Sequence, residues 1–269
     1  MTPMPFAARS LLLLALALLA ACSNQPSMPE PPATVSTTPP QKAPPQVRAQ
    51  LHTELGAGYY ERGQMEVALE ELNLAIKIDP TYAQAYNISG LVYAYLGDDR
   101  KAEQSFTQAL QLSPNDSETL HNWGWYLCTH NRARESLPQF DAAVRNPLYK
   151  TPEVALVNAG RCAQAAGDDA AAENYFRRAL ALQPGNPLAS LGLAQLAYKA
   201  HRYDEARSWM KGVLLMNNPP PVALRLGGCI ERKLGDRQAE LSYISQLKNR
   251  YPDALETKAI PTETCSDGG

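Results

Sequence analysis

Small and apolar residues recur along this chain every 34 positions. Leu55-Gly56, Tyr59, Gly63, Ala68, Ala75 and Pro80 are followed, 34 residues on, by Ser89-Gly90, Tyr93, Gly97, Ala102, Ala109 and Pro114. Each block predicts a pair of antiparallel helices. Gly56, Gly90, Gly124 and Gly160 let two helices of a pair approach closely, and Ala68, Ala102 and Ala172 do the same from the facing helix. Pro80, Pro114 and Pro184 end the second helix, because proline cannot continue the hydrogen-bond ladder.

A period of this length with these residue types is the pattern of tetratricopeptide repeats. The expected fold is all-α: a right-handed superhelical solenoid of about six helix pairs. The first unit runs from about Ala49 to Tyr82, and the second closes at Leu112-Ser113-Pro114. Trp123-Gly124 and Leu127 carry the pattern into the third. A longer connection, Asn146 to Pro152, then adds about two residues. The fourth unit resumes at Glu153 with Gly160, Gly167, Ala172, Ala179 and Pro184. Tyr203-Asp204-Glu205-Ala206 marks a fifth, and Gly228, Gly235 and Pro252 a weaker sixth. Pro138 falls early in a second helix, which is therefore expected to start late or kink. One unit cannot cover its own apolar face, so neighbours must stack.

The ends of the chain read differently. Arg9 precedes an apolar run, Leu11 to Ala20, too short for a bilayer span of roughly 20 residues but suited to a signal-peptide core. Leu19-Ala20-Ala21-Cys22 closes it in the manner of a bacterial lipoprotein. Residues 1–21 are thus expected to be a signal peptide, with Cys22 the lipidated residue. Ser23, where an aspartate would favour the inner membrane, points to the periplasmic face of the outer membrane. Residues 22–48 form a linker with eight prolines between Asn24 and Gln46. At about 3.1 Å per residue it reaches at most roughly 70 Å. The repeat domain is expected over 49–258 and a flexible tail over 259–269.

Charge excludes one class of partner. With Arg9 gone from 25 basic residues, the balance against 27 acidic ones is about −3, which leaves no basic stripe for nucleic acid. Neither C-x-x-C, H-E-x-x-H nor G-x-x-x-x-G-K-[ST] occurs, so no cofactor, metal or enzymatic role is expected. Cys128 and Cys162 lie in first helices of adjacent units, offset by about two residues. Spacing leaves both a disulfide and two buried free thiols open in an oxidising compartment. His121 and His130 near Cys128 raise a thiol enzyme as an alternative, though His121 is two turns away. Cys229 and Cys265 are a possible second pair.

First helices line the inner face of such a solenoid. In the second unit Tyr86, Gly90 and Tyr93 are assigned to the core, leaving Asn87, Leu91 and Tyr95 as a stripe at four-residue spacing. His121 and Trp125 continue it in the third unit, and Tyr60 lies near it in the first. Aromatic residues among polar ones are common material for protein contacts. These six residues are the candidate protein-binding site.

Asn122-Trp123-Gly124-Trp125-Tyr126-Leu127-Cys128, Asn146 to Glu153, and Asn158-Ala159-Gly160-Arg161-Cys162 together resemble the PilF/PilW family of outer-membrane lipoproteins. The resemblance implies a pilotin, which helps the type IV pilus secretin reach or assemble its outer-membrane ring. It implies a membrane attachment through lipid, a protomer that is monomeric before assembly, and a disulfide between the third and fourth repeats at Cys128 and Cys162. A general repeat lipoprotein scaffolding cell-wall enzymes is the other reading of a tethered solenoid.

Overall fold

The computed structural model describes residues 43–260 and Cys265. The expected signal peptide, Cys22 and most of the linker lie outside the described residues. Among those described, every regular element is a helix. Units one to six pair α1 (Pro45–Glu61) with α2 (Met65–Ile78), α3 (Ala83–Tyr95) with α4 (Asp99–Leu112), and α5 (Ser117–Thr129) with α6 (Ala133–Ala143). They continue with α7 (Pro152–Ala165) and α8 (Asp169–Leu182), α9 (Pro187–Lys199) and α10 (Tyr203–Leu214), and α11 (Pro221–Leu234) and α12 (Arg237–Arg250). A short α13, Leu255–Lys258, follows.

The turn inside every unit repeats one backbone device. Gly63, Gly97, Gly167 and Gly235 have positive φ, and in the third and fifth units Asn131 and His201 adopt it instead, at 62° and 60°. The next helix then starts two residues later. In three units it is capped by an aspartate at its entry: Asp98, Asp168 and Asp236 accept from Lys101, Ala171 and Ala239 backbone N–H groups. Such a cap satisfies donors that the first helical turn leaves open.

Packing within a unit is a large side chain set against a glycine sixteen residues earlier. Leu72 faces Gly56, Phe106 faces Gly90, Phe140 faces Gly124 and Phe176 faces Gly160, and all four large residues are buried. A Cβ on Gly160 would come within 2.5 Å of the Phe176 ring. In the fifth unit the small residue is Ala194 and its partner the more pliable Met210, both buried. Three of the chain's four phenylalanines thus sit at one repeat position.

First helices touch in series, α1 to α3, α3 to α5, α5 to α7, α7 to α9 and α9 to α11. No such contact joins successive second helices among the described residues. Close spacing on one side and splaying on the other curve the stack, with first helices on the concave side.

Three expectations change. α1 starts at Pro45, within the expected linker, because proline suits the first helical turn and the Pro44 carbonyl accepts from Arg48 N–H at 3.1 Å. α6 does not start late. It begins at Ala133, 34 residues after α4, and carries Pro138 inside it. The tail is not loose at Cys265, which is bonded to Cys229 with the Cα atoms 5.4 Å apart.

Candidate functional site

The inner face begins at Tyr60 and Tyr95. Tyr95 is 67% exposed at the end of α3, followed by half-exposed Leu96. Tyr60, on α1, is partly buried near it. Burial first, then the proximity of Tyr95, pushes its hydroxyl above the ordinary tyrosine value. Leu91 is partly buried and packs against the cores of both the first junction and the second. Trp125 packs against the core of the third and fourth units, and the Arg161 guanidinium lies 5.2 Å from its ring centre.

Asn87 and His121 do not belong to the accessible stripe. Asn87 is fully buried, and its Oδ1 accepts from Asn122 Nδ2 at 3.2 Å. His121 is largely enclosed: Nδ1 lies 2.5 Å from the Tyr149 hydroxyl and Nε2 lies 2.9 Å from Asn158 Nδ2. The Asn158 N–H donates to Nε2, so the ring proton sits on Nδ1 and is donated to the Tyr149 oxygen. Burial holds the imidazole below the ordinary histidine value, and burial also leads in raising Tyr149.

The correction has a geometric cause. First helices approach one another closely along the stack, so the side chains between them are enclosed even though they lie off the core face within their own unit. Asn87 with Asn122 bridges α3 to α5, and His121 with Asn158 bridges α5 to α7. Together they form polar rungs between successive first helices. Asn122 and Asn158 each stand two residues before a packing glycine, a recurrence visible in the sequence. Tyr86 also departs from expectation, since it is only partly buried and joins no core cluster, while Tyr93 is partly buried and packs against Phe106 and Tyr126. Ala85, Ile88, Ser89 and Val92 fill that core instead.

Cys128 and Cys162 are joined across α5 and α7 with Cα atoms 5.7 Å apart. Neither is a free thiol, and His130 instead lies stacked on Tyr126 with 4.0 Å between ring centres. Trp123 also stacks on Tyr126, with 5.3 Å between ring centres, and Phe106 is tilted against both. The third and fourth units are therefore clamped by a disulfide, a histidine–asparagine bond and a cation–π contact. The long connection is held at the same junction by Tyr149. No group of three metal-ligating residues occurs among the described residues, and no described helix is long and apolar enough to cross a membrane. What the surface offers is a row of aromatic and aliphatic side chains on a rigid support, which is material for binding protein.

Comparison with known proteins agrees with the geometry. Tetratricopeptide repeat models match residues 56–97, 83–116, 121–187 and 163–226. The type IV pilus assembly protein PilF of Pseudomonas aeruginosa is 28% identical over 212 residues, 79% of this chain and 84% of that protein. The crystal structure of PilW, described as a widely conserved type IV pilus biogenesis factor, superposes with a TM-score of 0.71 at 33% identity. The match covers 80% of this chain and 98% of that one. The solved structure of Pseudomonas aeruginosa PilF superposes with a TM-score of 0.72 at 28% identity, covering 80% and 97%.

Proposed function

This chain belongs to the PilF/PilW family of tetratricopeptide repeat proteins, and on that footing we propose that it is a lipid-anchored pilotin that holds the type IV pilus secretin. It is a repeat scaffold of pilus biogenesis and not an enzyme. The proposed anchor is Cys22, which places the solenoid on the periplasmic face of the outer membrane at the end of a proline-rich tether.

The observation that carries the reading is the exposed aromatic edge at Tyr95 beside Tyr60, on first helices that lie on the concave side. Large apolar groups held on rigid helices lose little entropy when a partner covers them. Leu91 and Trp125 extend that surface toward the third unit. The partner is a segment with apolar side chains, because α3, which carries Leu91 and Tyr95, has no charged residue.

Crosslinking in living cells from a photoreactive residue at position 95 tests this. Capture of the secretin supports it. Capture of cell-wall hydrolases, with no secretin, would replace it with the general scaffold reading.

A further inference from the structure

The chain does not stop at its sixth unit. α13 starts at Leu255, 34 residues after α11 starts at Pro221, where the first helix of a seventh unit would begin. It lasts only four residues. Ala259 and Ile260 then line, with Gly228, Cys229, Ile244 and Leu247, a cavity of about 30 Å³ on the side of unit six where another unit would stack. Cys265 is bonded to Cys229 of α11. Its carbonyl also accepts from the Tyr198 hydroxyl of α9 at 3.2 Å. One residue near the end of the chain thus reaches two first helices.

The place of Cys229 in its unit gives this contact its meaning. Cys229 follows Gly228 as Leu91 follows Gly90 and Trp125 follows Gly124. It therefore holds the same position on the inner stripe. In the second and third units Leu91 and Trp125 at that position are partly buried, and Tyr95 of the same stripe is exposed. In the fifth and sixth, Cys265 packs with Cys229 against the buried cluster containing Leu191, Tyr198 and Ile230.

We propose that the C-terminal contact at Cys265 is an intramolecular occupant of the inner face, latched by the Cys229–Cys265 disulfide. It closes units five and six to partners while oxidised and releases them when a dithiol reductant acts. In that step the reductant's two thiols become a disulfide. Two electrons and two protons pass to the chain, leaving Cys229 and Cys265 as thiols. Exchange requires a thiolate to reach a sulfur. In the other bridge Cys162 is fully buried and only Cys128 is partly exposed, whereas Cys229 and Cys265 are both partly exposed, so two sulfurs here are open to attack against one there. The latch is the bridge that opens first. Its existence does not depend on the pilus reading; only its effect on secretin capture does.

The test titrates the oxidised full chain with dithiothreitol, quenches with an alkylating reagent and identifies labelled cysteines by mass spectrometry. Cys229 and Cys265 should be labelled about tenfold faster than Cys128 and Cys162. Hydrogen exchange of the α9 and α11 amides around Tyr198 and Cys229 should rise about tenfold at the same point. A Cys265→Ser chain should show that faster exchange without reductant. Simultaneous opening of both bridges, or exchange unchanged on selective opening, would overturn the latch. If Cys265→Ser loses its helical signal, the wild-type titration decides alone. Failure of the chain to bind secretin would leave all these readouts in place.

Discussion

His121 joins the third and fourth units through Asn158, whose Nδ2 lies 2.9 Å from the imidazole Nε2. A proton on Nε2 would oppose the donor of Asn158 in a buried place. The fold therefore selects the neutral ring, in line with a value pushed below 6.5 by burial.

The sign of the pH effect follows from that depression. Above about pH 6.5 both folded and unfolded chains hold the ring neutral, and stability is insensitive to it. As pH falls, the unfolded chain takes up a proton that the folded chain resists, so stability is lost as pH falls through the folded-state value. Thermal melts from about pH 7 down to about pH 5 should show a decline that is shallower in His121→Gln than in the wild type. Equal slopes would show that His121 is not a source of the acid sensitivity.

Breaking the Cys128–Cys162 bridge should destabilise the junction of units three and four. The separation is 34 residues, for which the chain-entropy model gives about 4 kcal/mol. Cys128→Ser/Cys162→Ser should lower the melting temperature by about 10 °C, the expected response of a domain of this size. Unreduced peptide mass spectrometry checks the pairing first, and two free thiols would remove the basis of the prediction.

Gly160→Ala should destabilise by about 1–3 kcal/mol through overpacking, although alanine favours helix. The new Cβ would lie 2.5 Å from the Phe176 ring, which is fully buried. Adding Phe176→Met should recover part of the loss, since the fifth unit already pairs Ala194 with Met210. Denaturant unfolding of the single and double variants measures this, and additive losses would contradict the packing account.

Tyr95→Ala should weaken secretin capture by about 1–2 kcal/mol with helical content unchanged, because the side chain is 67% exposed. Trp125→Ala should weaken capture and also lower stability, since Trp125 packs against the core. Gln195→Ala in the fifth unit should change neither beyond about 0.5 kcal/mol. Calorimetric titration with purified secretin segments, beside circular dichroism, separates the three outcomes.

Cys22→Ala should release a folded repeat domain into the periplasm and reduce the number of assembled secretin rings. Fractionation of cells lacking the secretin is the check. A variant still found with the outer membrane there would assign its attachment to something other than lipid.

The sequence by itself determined the unit, its length and the stop at each second helix, because these depend on residues close along the chain and repeated at a fixed spacing. Six units and the packing glycines were legible for that reason. Asn131 and His201 carry no mark of a turn in the sequence, since neither is glycine. Tertiary structure decided which inner residues a partner can reach. Asn87 and Tyr95 stand two turns apart on α3, yet close approach of α5 buries one and leaves the other exposed. It also decided that Pro138 sits within a helix of ordinary start, and that Cys265 returns to Cys229 and Tyr198. Repeat periodicity describes each unit against its neighbour. It carries no information on Cys265, which lies past the last full unit and contacts two first helices.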